Sequence, residues 1–393
     1  MADLDIKGSF HPDFVKVRDA FAANFTERGD LGAAVCVYRH GERVVDLWAG
    51  EADHTTGRPW TEDTLQLLFS TTKAVTATCV HVLRDRGLID YDAPVADYWP
   101  EFAAEGKGNI PVRWLLAHAA GLPVLDASVT PEQALATRPV VEAIARQRPV
   151  WEPGSEHGLH ILTYGWLVGE LVRRVSGRSI GVFFAEEIAA PLGLDFWLGL
   201  PTEAWPRASR SAERDYDPTG VDIDALPQVL KPMLAALSDP DSLTQRAYRV
   251  VQPPLDYGSP EVAHGEVPSV NGMATARSLA RFYAALIGEV DGVRLLSPET
   301  LALATAEQFD GIDRILQLPS RVAMGFDLPW KEEFTADVFG GPRSFGHAGY
   351  GGPGAFADPD NGIGFGYVTS LHAYSLRGNE RAGALAEAVR ASV

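Results

Sequence analysis

The stretch Phe69-Ser70-Thr71-Thr72-Lys73-Ala74 decides how this chain is read, because it sets a hydroxyl and an amine one helical turn apart where a loop enters an apolar helix. Downstream, Val75, Cys79, Val80, Val82 and Leu83 make the segment apolar over much of its circumference before Gly87 stops it, which predicts a central helix over 71–86. At positions i and i+3 the side chains of Ser70 and Lys73 emerge on one face. A serine hydroxyl becomes a nucleophile when a base takes its proton, and a lysine serves as that base only if its pKa falls from about 10.4 towards 7 or 8. A helix N-terminus disfavours a positive charge, and burial between two domains adds a desolvation penalty of the same sign. The helix start also aims backbone N–H groups outward, which makes the Ser70 amide a candidate oxyanion donor. A Ser-x-x-Lys arises by chance roughly once or twice in a chain this long. Its weight therefore depends on what surrounds it.

Upstream, Pro12 starts and Gly29 stops a helix carrying Phe14, Val17, Phe21 and Phe25 at helical spacing. Two β-rich runs, 31–39 and 43–50, flank His40-Gly41-Glu42 and read as a hairpin at the edge of an antiparallel sheet. Far downstream, 344–348, 354–357 and 363–370 read as strands, and Asp358-Pro359-Asp360-Asn361-Gly362 supplies the turn between the last two. That turn lacks the ligand spacing and closing glutamate of a calcium loop. A helix capped by Thr275 and closed by Gly288 precedes these strands, and a final helix is expected over about 379–391. Between roughly 105 and 260 the chain shows helical segments, such as 163–175 and 181–190, separated by Pro and Gly breaks. The expected fold is α+β, an α/β sandwich. An antiparallel sheet built from both chain ends (1–104 and 261–393) is flanked by helices, and a mostly helical domain (105–260) is inserted between them.

With 393 residues and 46% apolar content the chain can bury a large core. A net charge of −18 opposes phosphate backbones and anionic membranes, so neither nucleic acid nor a membrane is an expected partner. Cys36 and Cys79 each lie in an apolar run and read as free buried thiols of a reducing compartment. The start Met1-Ala2-Asp3-Leu4-Asp5 lacks the basic and apolar pattern of a secretory signal, and the expected location is the cytoplasm. No cofactor is expected. His157 and His160 are three apart, but a third ligand at recognisable spacing is missing and Gly158 breaks the local helix, so no metal is expected either.

The nucleophile stretch resembles the signature of the serine β-lactamase-like superfamily, that of class C β-lactamases and D,D-peptidases, and most of all the family VIII carboxylesterases. The resemblance continues in Gly87-Leu88-Ile89-Asp90-Tyr91-Asp92-Ala93-Pro94-Val95, in Leu115-Leu116-Ala117-His118-Ala119-Ala120-Gly121-Leu122 and in Trp151-Glu152-Pro153-Gly154. These blocks stand in the family order. Phe345-Gly346-His347-Ala348-Gly349-Tyr350 occupies the place of the family's third motif, Lys-Thr-Gly in β-lactamases. The resemblance implies an acyl-Ser70 intermediate with Lys73 as base, an oxyanion site made by the backbone amides of Ser70 and Tyr350, and substrate contacts from His347 and Gly349. Loss of the motif lysine removes a fixed positive charge for a substrate carboxylate and points towards small neutral esters. His118 reads as a structural group beside the cleft, and Asn271-Gly272 resembles a family loop with no assigned role.

One departure stands out. The family's second motif supplies a tyrosine that partners the Ser–Lys pair, and here Leu159 falls at that position, with Ile161 at the asparagine of the β-lactamase form. Lys73 then acts alone or with water, or His160 or Tyr164 substitutes, or turnover after acylation is impaired. Three readings follow: a serine carboxylesterase; an acyltransferase or amide or β-lactam hydrolase on the same fold; and a non-catalytic homologue.

Overall fold

A computed structural model describes residues 4–214, 227–330, 339–373 and 380–393. Its frame is an antiparallel sheet of six strands: β1 (Lys7–Phe10), β2 (Gly32–Arg39), β3 (Glu42–Asp53), β4 (Phe345–Ala348), β5 (Gly354–Asp358) and β6 (Ile363–Thr369). They run in the order β1-β3-β2-β6-β5-β4, with the two-residue strand Arg58–Pro59 beside β3. The sheet is therefore built from both ends of the chain, as expected.

The β2–β3 hairpin turns at His40 and Gly41, whose φ values of 50° and 83° suit a tight turn matched to strand twist. The hairpin does not form the sheet edge that its sequence suggested. β2 lies between β3 and β6, pairing Val35 with both Leu47 and Tyr367. The outer position falls to β1, whose four residues are all exposed and so carry no alternation to read. In the C-terminal part of the sheet, Asp358 organises the β5–β6 turn by accepting from Asp360 N and Asn361 Nδ2.

Each face of the sheet has its own cover. Helix α1 (Val15–Thr26) and the last helix, α5 (Glu380–Arg390), bury Val17, Phe21, Leu385 and Val389 against Val35, Val37, Phe365 and Tyr367. Asn379, where the sequence placed the start of the last helix, lies outside the described residues. On the opposite face runs α4 (Ala276–Ile287), capped by Thr275 Oγ1 accepting from Ser278 N. It comes so near β6 that a Cβ on Gly364 would lie 2.5 Å from Ala284 N and 2.6 Å from Ala280 O. Beyond α4 lies the larger core, which contains α2 (Thr72–Asp85) and α3 (Thr163–Ser176). Every residue of α2 from Thr72 to Leu83 is buried. Among the described residues no helix is long and apolar enough to cross a membrane.

Candidate active site

The site is assembled where α2 begins. Phe69 holds a left-handed backbone (φ 45°), unusual for a residue with a side chain, and a 3-10 turn over Phe69–Thr71 leads into the helix. Three rings pack edge-to-face with Phe69: Tyr257 at 5.2 Å, Tyr350 at 5.4 Å and His372 at 4.7 Å between centroids. The next residue, Ser70, is half-buried and is the middle residue of that turn.

Lys73 Nζ lies 3.0 Å from Ser70 Oγ, 3.0 Å from the carbonyl of Ile161 and 3.2 Å from the carbonyl of Ser269. The side chain is completely buried, and burial brings its pKa down from 10.5 to about 7, against the opposing field of Asp327. This three-oxygen cage suits a base. A neutral amine donates its two hydrogens to the two carbonyls and turns its lone pair to the Ser70 hydroxyl, whereas an ammonium donates to all three. Both protonation states are satisfied, so a proton can pass between Oγ and Nζ without stranding a buried group.

Neither carbonyl has a sequence signature, but the segments that supply them are firmly held. Ser269 Oγ donates to Leu162 O and accepts from Gly165 N. Asn271, without a role in the sequence reading, organises the preceding loop through Val267 N, Val262 O and Gly265 O. Asp313, buried, accepts from Leu159, Ile315 and Leu316 amides, so it ties the half-buried Leu159 segment to the 313–316 turn; burial raises its pKa to about 6.

Gly165 is the point where α3 meets the Ser269 segment. A Cβ there would stand 2.4 Å from Ser269 N and 2.8 Å from Ser269 Oγ. Gly165→Ala is therefore expected to displace the carbonyl that holds Lys73, lowering the acylation rate about tenfold or more and stability by ~1–3 kcal/mol. Single-turnover kinetics and urea unfolding check this together; an unchanged acylation rate would show that the Ser269 carbonyl does not set the position of Lys73.

The two side chains that sequence offered in place of the missing tyrosine are not brought to the Ser70–Lys73 pair. His160 has both ring nitrogens engaged: Nδ1 lies 2.7 Å from Gly158 O and Nε2 accepts from Leu122 N at 3.0 Å. That pattern fixes a neutral ring, and burial lowers its pKa to about 4. Tyr164 is fully buried in α3, with its ring 4.5 Å from that of His118. Its hydroxyl has no hydrogen-bond partner and lies against Gly325, where a Cβ would be 2.8 Å from it and 2.1 Å from Ala77 Cβ. It thus sits one turn further along α2 than Lys73. His118 Nδ1 accepts from His160 N, a structural bond of the kind expected, and His157 Nε2 pairs with Ser320 Oγ.

The 345–350 segment does reach the turn that carries Ser70. Thr71 Oγ1 donates to His347 O at 3.4 Å, and Gly349 packs so tightly that a Cβ would fall 2.2 Å from Leu68 O. Tyr350 follows, its ring against Phe69. Asp327, which the sequence reading did not single out, completes the surroundings: its Oδ2 lies 3.6 Å from His347 Nδ1.

A sequence profile of the family described as Beta-lactamase matches residues 18–390. Esterase/beta-lactamase LipL of Mycobacterium tuberculosis is 37% identical over 369 residues, which span 92% of this chain and 82% of that one. Among solved structures, a family VIII carboxylesterase superposes with a TM-score of 0.86 at 35% identity, covering 99% of this chain and all (100%) of the other. A penicillin-binding protein homologue from Caulobacter crescentus gives a TM-score of 0.86 at 37% identity, with the same coverage of 99% and 100%.

Proposed function

Because this chain belongs to the Beta-lactamase family, we propose that it is a serine carboxylesterase that cleaves small carboxylic esters through an acyl-Ser70 intermediate. The observation that carries the reading is the buried Lys73 amine, held 3.0 Å from Ser70 Oγ with a pKa of about 7. In acylation Lys73 takes the Ser70 proton as Oγ bonds to the ester carbon, and returns it to the departing alcohol. The backbone amides of Ser70 and Tyr350 receive the negative charge that develops on the carbonyl oxygen.

Three features favour small esters, the first of them neutral ones. His347 stands where the β-lactamase motif has a lysine, and burial holds its pKa below the ordinary histidine value, so it offers no fixed positive charge to a substrate carboxylate. A cavity of about 690 Å³ lies beside Phe69, lined by Leu67, Trp205, Tyr257, Met273 and His372 and also by the charged Asp53, Arg58, Arg210, Glu213 and Asp256, and its size suits a small ester. Relatives named as esterases match this chain at 37% identity over 369 residues and at 42% over a shorter stretch of 100 residues, the latter being esterase EstB of Burkholderia gladioli.

In the same proposal the site lies in the seam between the sheet unit (1–104 and 261–393) and the helical unit (105–260). In support, Lys73 is held by one carbonyl from each side of that division, Ser269 and Ile161. The partner is a small-molecule ester, not nucleic acid or a membrane, and the buried free thiols Cys36 and Cys79 favour a cytoplasmic location. The test is p-nitrophenyl butyrate hydrolysis followed by stopped flow and intact mass. A burst of about one p-nitrophenol per chain, with the butyryl group on the peptide containing Ser70, is expected. Linear release with no adduct on that peptide would refute the reading.

A further inference from the structure

The Ser70–Lys73 pair accounts for acylation, but Leu159 leaves hydrolysis of the acyl-enzyme without the tyrosine that the family supplies. One buried side chain, on the strand whose His347 carbonyl accepts from Thr71 next to Ser70, has a lone pair unengaged. His347 lies on β4, the edge strand, and shares a face with Phe345, which packs on Phe326 at 5.0 Å in the same core as α2. The imidazole is thereby directed to the α2 side of the sheet. Its Nδ1 lies 2.8 Å from Ala348 O and 3.6 Å from Asp327 Oδ2. Two oxygens that can only accept call for an Nδ1–H, so Nε2 carries the lone pair. That Nε2 is buried and has no hydrogen-bond partner, a condition that costs ~1–3 kcal/mol unless a ligand or water relieves it.

We propose that His347, oriented by Asp327, is the general base of deacylation, in place of the family tyrosine. The proposal rests on the acyl-Ser70 reading. Nε2 takes a proton from a water as the water oxygen bonds to the acyl carbon. The carbon–Oγ bond then breaks, Ser70 Oγ receives that proton from Nε2, and the carboxylic acid leaves with the water oxygen. The Asp327 carboxylate stabilises the imidazolium between the two transfers. Lys73 has already given its proton to the alcohol, so the enzyme returns to its starting protonation state.

The groups around the imidazole set its working range. Burial and the Lys73 charge on α2 disfavour its positive charge, while Asp327 and the Ala348 carbonyl favour it; His118 on the 117–122 turn is nearby, but burial keeps that ring neutral. His347 is consequently neutral and able to accept a proton at neutral pH, and deacylation is expected to fall on the acid side of the ordinary histidine range.

The experiment uses p-nitrophenyl butyrate and separates the two half-reactions. His347→Gln is expected to retain a burst of about one p-nitrophenol per chain, while steady-state turnover falls about 100-fold, well beyond any slowing of the burst, and the butyryl-enzyme accumulates in the mass spectrum. Turnover within threefold of the parent chain would overturn the proposal, as would loss of the burst in parallel with turnover. Asp327→Asn keeps the imidazole and is expected to move the acid limb of deacylation, followed on preformed butyryl-enzyme, to lower pH while slowing turnover about tenfold. An acid limb that stays where it is would overturn the proposal even if His347→Gln does not fold. If the parent chain itself gives no Ser70 adduct, the acyl-Ser70 reading fails first, and the two failures are told apart.

Discussion

Ser70→Ala is expected to abolish the p-nitrophenol burst and to lower kcat/KM for short-chain esters by about 10⁴-fold or more, equivalent to ~5 kcal/mol of lost transition-state stabilisation. The size of the effect follows from chemistry, since no other hydroxyl is held against the Lys73 amine among the described residues. Thr71 Oγ1 is turned to His347 O, and Thr72 Oγ1 accepts from Gly272 N. Stability should change little, because the Ser70 hydroxyl has Lys73 as its partner and Lys73 keeps the carbonyls of Ile161 and Ser269. Steady-state kinetics and a thermal melt of the variant check both halves. Residual activity within tenfold of the parent chain would mean that the ester is cleaved somewhere else.

How far the sequence could be read depended on whether the information lay in side-chain type or in backbone placement. The buried α2 helix, the His40-Gly41 turn and the Thr275 cap were legible because apolar periodicity, positive-φ turn chemistry and capping are local rules. β1 was not, since a fully exposed edge strand leaves no pattern. The meeting of Ser70 and Lys73 was legible from their spacing and surroundings. What holds Lys73 was not: the Ile161 and Ser269 oxygens are backbone atoms, and any residue types could have supplied them. His160 and Tyr164 had suitable chemistry but depend on orientation, which the chain settles by starting α3 at Thr163 and burying the Tyr164 ring against His118. Asp327 sits in Gly325-Phe326-Asp327-Leu328, a stretch with no motif, and it acquires meaning only when β4 brings His347 to it. The segment's backbone pairing to Gly346 is what makes that meeting possible.

Lys73→Met is expected to lower kcat/KM by about 10³-fold or more while shifting stability in a way that depends on pH. In the folded chain burial holds the Lys73 pKa at about 7, against 10.5 for a free lysine. Between those values the unfolded chain binds the proton more strongly, so the parent chain gains stability as pH rises from about 7 to about 10.5. Below about 7 it carries the whole penalty, on the order of 5 kcal/mol. Methionine fills similar space without a charge and removes that penalty, but it leaves the carbonyls of Ile161 and Ser269 without their donor, at ~1–3 kcal/mol each. The two contributions are of similar size, so the net change at neutral pH has no decisive sign, whereas the pH slope does. Relative to the variant, the parent chain should become progressively more stable between pH 7 and pH 10, as measured by urea unfolding at each pH. Other titrating groups are common to both chains and cancel in the difference. Parallel stability profiles would mean that Lys73 keeps an ordinary pKa when folded, and an amine that remains charged at neutral pH could not take the Ser70 proton.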